Sequence, residues 1–139
     1  SVLYDFSVRQ SALVVGTSNK SEILIGYATQ FGDAAAAFIP IGELYKTEVY
    51  RMAEMLGLPK SILEKAPSAD LWIGQTDEDE IGLPYDELDE ILYQLVDLKT
   101  ARNVLESRGI NPDKIDRVSA LIKQSEFKRH MPPAAPLKG

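Results

Sequence analysis

Cysteine is absent from this 139-residue chain, which excludes disulfides and thiolate chemistry and leaves nothing that speaks for an oxidising compartment. The cytoplasm is the expected location. Positive charge is scarce: 15 Lys and Arg stand against 21 Asp and Glu, a formal charge of −6. Phosphate backbones are bound through Lys/Arg surfaces, so no nucleic-acid partner is expected. Long apolar runs are also missing. The longest, Ala34 to Ile41, falls far short of the roughly 20 residues of a membrane helix, and no basic, apolar, small-residue leader is visible. No membrane partner is expected either. The nine glycines include no Gly-Gly pair, no G-x-G-x-x-G and no Walker-type loop, so the chain carries no glycine-rich cradle for a phosphate chain.

What is present is ordinary globular composition, 45% hydrophobic and 26% charged, long enough for one domain with a core. The chain opens at Ser1 without a methionine, inside a helical pattern of Leu3, Phe6 and Ser7 with Tyr4 and Val8 beside them, and so reads as a piece of something longer. Ala12 to Val15, apolar and β-branched and bounded by Gly16, predicts a fully buried strand of a parallel sheet. Ser21 to Thr29 follows as helix or turns. After the turn signal Gly32-Asp33 comes Phe38 to Ile41, interrupted by Pro40 and at best an edge strand. From Lys46, Val49, Met52, Ala53 and Leu56 fall at i, i+3, i+4, i+7, and Gly57 with Leu58-Pro59 closes that helix. A short helix through Lys65 follows Pro59.

A long connection, Pro67 to Leu83, carries Ser68, Trp72, Gly74 and the acidic run Asp77 to Glu80. Loops of this length are often functional. Pro84 opens a helix with one apolar stripe of Leu88, Ile91, Leu92, Leu95 and Val96, and Asn111-Pro112 begins another with Ile115, Val118 and Ile122 inward. The proline- and lysine-rich tail from Met131 is expected to lie extended or frayed. A strand followed by helices is half of an α/β fold.

Candidate chemistry gathers at Thr17 and Glu22. At the carboxyl end of a parallel strand, N–H groups and a threonine hydroxyl face the crevice where such sheets bind nucleotides, and a carboxylate there can ligate Mg²⁺. The alternative is a plain turn whose hydroxyls bond the backbone, with Glu22 solvated on a helix. Lys46 could direct its ammonium at phosphate oxygens or simply be exposed. The run from Asp77 to Glu80 could help hold a metal over a nucleotide, or be a solvated, self-repelling segment. Lys128, Arg129 and His130 form a basic cluster suited to an anionic ligand, though clustered surface charge needs no function.

The segments GTSNKSE, GYATQFGD, PIGELYKTEV, KAPSADLWIGQTDEDEIGLPYDELD and SEFKRHMPP, in this order and at these gaps, closely resemble the carboxyl half of the NAD synthetase family over about Leu13 to Pro133. The resemblance implies a partial Rossmann-like parallel sheet of the ATP-pyrophosphatase fold (adenine nucleotide alpha hydrolase-like), with its amino half missing and a helix-rich carboxyl part. It divides 1–139 into a nucleotide-binding part (1–66), a mobile acidic loop (67–83), carboxyl-terminal helices (84–130) and a tail (131–139). It implies a homodimer using ATP and Mg²⁺, with deamido-NAD and ammonia or glutamine as substrates. The nicotinic carboxylate is adenylated with release of pyrophosphate, and ammonia then displaces AMP.

By position, the resemblance gives Thr17, Lys46 and Ser68 to ATP, Glu22 to Mg²⁺, Asp77 to catalysis from the acidic loop, and Gln30, Asp33 and Lys128 to deamido-NAD. Three positions depart from the family pattern: Gln30 stands where a lysine is common, Ala37 where an aspartate is, and Phe127 where a histidine is. Either the nicotinate end is held differently or the substrate preference has shifted. The family's Ser-Gly-Gly-x-Asp-Ser pyrophosphate loop is absent, so the chain is expected not to catalyse the reaction alone. The rivals are another ATP pyrophosphatase, such as a GMP synthetase or a tRNA-thiolation enzyme, and a non-catalytic helical module that dimerises. The first should lack KAPSADLWIGQTDEDE, and its tRNA-directed members would want a basic surface.

Overall fold

The structure, a computed structural model, describes residues 2–68 and 71–135. The last four residues of the expected tail and residues 69 and 70 of the expected loop lie outside these. The chain runs α1 (Val2–Gln10), α2 (Lys20–Ile25), α3 (Lys46–Met55), α4 (Lys60–Leu63), α5 (Asp77–Ile81) and α6 (Tyr85–Leu92). A π-helical turn (Tyr93–Asp97) prolongs α6, and α7 (Arg102–Ser107), α8 (Pro112–Gln124) and a 3₁₀ turn (Glu126–Arg129) follow. No described helix is long and apolar enough to cross a membrane.

The boundaries follow local chemistry. Asn19 accepts the Glu22 N–H while the Glu22 carboxylate accepts the Asn19 N–H, a reciprocal cap that starts α2. Gly26, at φ +69°, ends it, and a Cβ there would lie 2.2 Å from Ser125 Cβ, so both conformation and space demand glycine. α3 closes at Leu56 and Gly57 as its pattern predicts. Asn111 accepts the Asp113 N–H with Pro112 in the first turn of α8. The stretch 67–83 is not a continuous loop. Thr76 caps a short helix by accepting the Asp79 N–H, and Gly82 ends it at φ +82°.

The expected parallel sheet is reduced, among the described residues, to one parallel bridge between Val15 and Phe38. Gly16 N–H donates to Phe38 O and Ala37 N–H to Val14 O, both at 2.8 Å. Val14 is buried, but Leu13 is 70% and Val15 48% exposed, so the segment is not buried on both faces. A parallel strand is covered only when neighbours flank it, and the described residues provide a neighbour on one side. Gly16 is required for that approach: a Cβ on it would lie 2.8 Å from both Ala36 Cβ and Ile39 Cγ1.

The core lies elsewhere. Leu88, Ile91 and Leu92 of α6 pack with Ile25, Tyr45, Ile81, Leu83 and Val118, Leu88 and Leu92 being fully buried, and burial of each such side chain is worth roughly 1.5–3 kcal/mol. The apolar stripe of α3 does not join it. Met52 and Leu56 stay exposed: α3 meets α2 and α6 through its first turn, and only the short α4 packs against it besides, among the described elements.

A second tie holds α2 to the turn after α6. Asp97 accepts Lys20 Nζ at 2.7 and 2.8 Å and the Tyr45 hydroxyl at 2.9 Å, and the Lys20 ammonium lies 4.7 Å over the Tyr45 ring. The Lys20 bond holds the Asp97 carboxyl below its ordinary value of 3.8. An acid with a lower pKa in the folded state stabilises the fold above the unfolded value and ceases to as pH falls through the folded one. Lys20→Met is therefore expected to return Asp97 toward ordinary titration in a side-chain carboxyl NMR experiment. Its stability deficit in urea unfolding should be present above pH 3.8 and vanish below the native titration of Asp97.

Candidate functional site

The junction of α2, α3 and α6 is built around a carboxylate. Asp89 lies on the same face of α6 as Tyr85, Leu88 and Leu92 and is 5% exposed. Its Oδ1 accepts the Ser21 hydroxyl at 2.5 Å and its Oδ2 accepts the Thr47 N–H at 2.9 Å. Ser21 Oγ in turn accepts the Lys46 N–H at 2.9 Å. The first two amides of α3, which no residue of their own helix can satisfy, are thus bound by side chains of two other helices. Burial pushes the Asp89 carboxyl up, and its bonds from Ser21 and Thr47 oppose that.

This seam sets Lys46 against Glu22. Lys46 opens α3, Glu22 sits in the first turn of α2 one residue beyond Ser21, and Lys46 Nζ reaches Glu22 Oε1 at 2.9 Å across 24 positions of sequence. Both side chains are largely covered, at 19% and 15% exposure. Glu22 is therefore not a solvated helix residue. One oxygen serves the α2 cap and the other holds the lysine.

Tyr85 lies beneath this pair, with its ring centroid 5.3 Å from Lys46 Nζ and its hydroxyl 3.3 Å from Asp77 Oδ2. Asp77 is 5% exposed, and its Oδ1 is buried with no hydrogen-bond partner. The acidic run is not uniformly solvated: its first residue points inward. Asp77 N–H donates to Pro67 O at 2.9 Å, which draws the backbone next to Ser68 against α5, and Ser68 itself is half-buried. Tyr27 reaches the same helix, its hydroxyl donating to Glu80 Oε2 at 2.8 Å. Burial, then Glu80 and Asp77, push that hydroxyl's pKa well up. Thr17 is exposed, two residues before the Asn19 cap.

Gln30, Asp33 and Lys128 converge on a second place, the turn after α2. Lys128 Nζ donates to Gly26 O and Ala28 O, each at 2.7 Å, and Asp33 Oδ1 accepts the Thr29 N–H at 2.6 Å. Gln30 lines a cavity of about 440 Å³ with Phe31, Phe127, His130 and Met131. The expected basic cluster is not a surface patch: Arg129 donates to Leu24 O at 2.6 Å and Ile122 O at 2.7 Å, so two of its three residues bind carbonyls and His130 alone is exposed.

Residue types alone did not single out Ser21, Tyr85 or Asp89. The available signal was a carboxylate inside an apolar helical stripe, since a charge at such a position is kept only if it is paired. Among the described residues no three His, Cys, Asp or Glu side chains could cage a metal. Glu22 offers one carboxylate, which suits Mg²⁺ held mainly by phosphate and water oxygens rather than by protein.

A family model described as NAD synthase matches residues 1–132. The NH(3)-dependent NAD(+) synthetase of Fusobacterium nucleatum is 51% identical over 139 residues, covering 99% of this chain and 54% of that protein. Its counterpart in Wolinella succinogenes is 46% identical over 137 residues, covering 99% and 53%. Among solved structures, the NMN synthetase from Francisella tularensis superimposes with a TM-score of 0.82 at 34% identity, covering 98% of this chain and 52% of that one. An NH3-dependent NAD synthetase from Campylobacter jejuni, in complex with nitrate, gives 0.75 at 35% identity, covering 97% and 50%. The chain spans about half the length of the curated relatives it matches.

Asp89→Asn replaces one of two accepting oxygens with a donor. The change is expected to cost about 1.5–3 kcal/mol in urea unfolding, as for a lost hydrogen bond to a charged group. Ser21→Ala should cost less. Because the two side chains form one network, the double variant should be less destabilised than the sum of the single ones.

Proposed function

The chain belongs to the NAD synthase family, and on that premise we propose that it supplies the ATP-handling corner and part of the pyridine-substrate surface of an ATP-dependent ligase that amidates deamido-NAD to NAD. In this reading residues 1–139 are the carboxyl part of one synthetase domain, completed by further strands of an ATP-pyrophosphatase sheet and working as a homodimer. The observation that carries it is the Lys46–Glu22 pair, held at 2.9 Å by a buried seam. It offers one cation and one carboxylate where a nucleotide and its metal need one of each.

Lys46 would meet the ATP phosphates as a point charge, with Thr17 and Ser68 offering hydroxyls to the nucleotide. Glu22 would hold Mg²⁺, which when bound neutralises charge on the phosphates. Adenylation of the nicotinic carboxylate builds charge on the leaving pyrophosphate, and a lysine held beside the phosphates would stabilise that charge. Asp77, with one buried oxygen unpartnered, would meet the reactants from α5. Gln30, Asp33 and Lys128 would shape the pyridine-nucleotide side. Lys128 would do so by fixing the Gly26 and Ala28 carbonyls.

Ammonia is the favoured nitrogen donor, because the curated relatives are named as NH(3)-dependent. A second acid substrate, the mononucleotide counterpart of deamido-NAD, is supported by the likeness to an NMN synthetase together with Gln30 and Phe127 lining one cavity.

The test is release of pyrophosphate and formation of amide by the complete product of the gene that encodes this chain. Both acids are offered with ammonia and with glutamine, and the 139-residue chain runs beside it. The complete product is expected to make NAD from ammonia and the chain alone to make none. Lys46→Ala should lower kcat/KM for MgATP by about tenfold or more, as for a lost charge-assisted contact. Absence of amide from either acid would refute the proposal.

A further inference from the structure

Tyr85 is 3% exposed and meets both halves of the candidate site with one side chain. Lys46 Nζ lies 5.3 Å from the centroid of its ring, within the range of a cation–π attraction, and its hydroxyl reaches Asp77 Oδ2 at 3.3 Å. Its backbone N–H donates to Glu78 Oε1 at 2.8 Å, so both ends of the residue grip α5. Asp77 Oδ1 is buried and unpartnered, and the Tyr27 hydroxyl faces the same carboxylate. Tyr85 is thus the buried hydroxyl of the two that set the direction in which that free oxygen points.

We propose that Tyr85 is a positioning residue that holds Asp77 of α5 in register with Lys46 of α3, so that the acidic helix and the phosphate-binding lysine engage the reactants as one unit. The proposal rests on the ligase reading above. The tyrosine acts through Asp77 by its hydroxyl and through Lys46 by its ring, and these two contributions can be separated. Burial and the neighbouring Asp77 raise the hydroxyl's pKa far above neutrality, so it remains a donor throughout the working range. A tyrosine kept only for packing would need its ring alone, since Tyr85 already belongs to the apolar core.

The experiment uses the complete gene product with MgATP, ammonia and whichever pyridine acid the unsubstituted protein amidates. Tyr85→Phe removes one oxygen and keeps the ring. It is expected to lower kcat about tenfold or more, the scale of a misplaced reacting group, while KM for MgATP stays within about twofold and the melting temperature changes little. Asp77→Asn should lower kcat, and the double variant Tyr85→Phe, Asp77→Asn should be no slower than Asp77→Asn alone, because the hydroxyl acts through that carboxylate. Tyr85→Leu should add a rise in KM for MgATP.

An unchanged kcat in Tyr85→Phe, or losses that multiply in the double variant, would overturn the proposal while leaving the ligase reading intact. An unsubstituted protein that amidates neither acid would overturn both. A loss in Tyr85→Phe that tracks only a fallen melting temperature, and returns on cooling, would reduce Tyr85 to packing and overturn the proposal alone.

Discussion

The Asp89 carboxylate is the constraint on which the rest of the arrangement depends. It is an expensive group to bury, and desolvation alone would drive it toward protonation. Three helices pay that cost jointly: α6 supplies the acid, α2 the Ser21 hydroxyl and α3 the Thr47 amide. Because each contact is directional, the carboxylate does more than join the helices; it sets their register. Lys46 is the residue before Thr47, Glu22 the residue after Ser21, and Tyr85 stands one helical turn before Asp89. Three side chains far apart in sequence are placed by one buried group.

That placement gives the corner its electrical character. The Lys46 ammonium and Glu22 carboxylate neutralise one another under partial cover. Such a pair keeps two opposite charges poised and desolvated at modest net cost. A polyanion accompanied by a divalent cation can take over both partners at once, the phosphate receiving the lysine and the cation the carboxylate. Under the proposed function, exchange of partners, in place of exposure of a bare charge, would be a physical reason for a nucleotide and its metal to bind together.

Legibility in the sequence followed the range of the interactions. Signals within a few residues were readable: Gly57 as the end of α3, Asn111-Pro112 as the start of α8, and the apolar stripe of Leu88, Ile91 and Leu92. Asp77 and Glu22 could be chosen as chemistry-bearing residues, but their surroundings could not. The inward turn of Asp77 depends on Thr76 opening a helix and on Tyr85, eight positions away. The role of Asp89 depends on Ser21, 68 positions away. The basic cluster misled because nothing local says that Lys128 and Arg129 fold back onto carbonyls of residues about a hundred positions earlier. The strand at Ala12 to Val15 is expressed only as a bridge, since pairing is a property of neighbours and the described residues hold one.

The central claim is that a buried seam presets Lys46 and Glu22 for a nucleotide and its metal. It is tested most directly by a crystal structure of the complete gene product with Mg²⁺ and a non-hydrolysable ATP analogue. The account predicts that Lys46 and Glu22 part, Nζ moving to phosphate oxygen and the carboxylate to the metal, while the Asp89 bonds to Ser21 and Thr47 stay in place. A nucleotide bound elsewhere with the ion pair intact, or a seam that rearranges on binding, would contradict it.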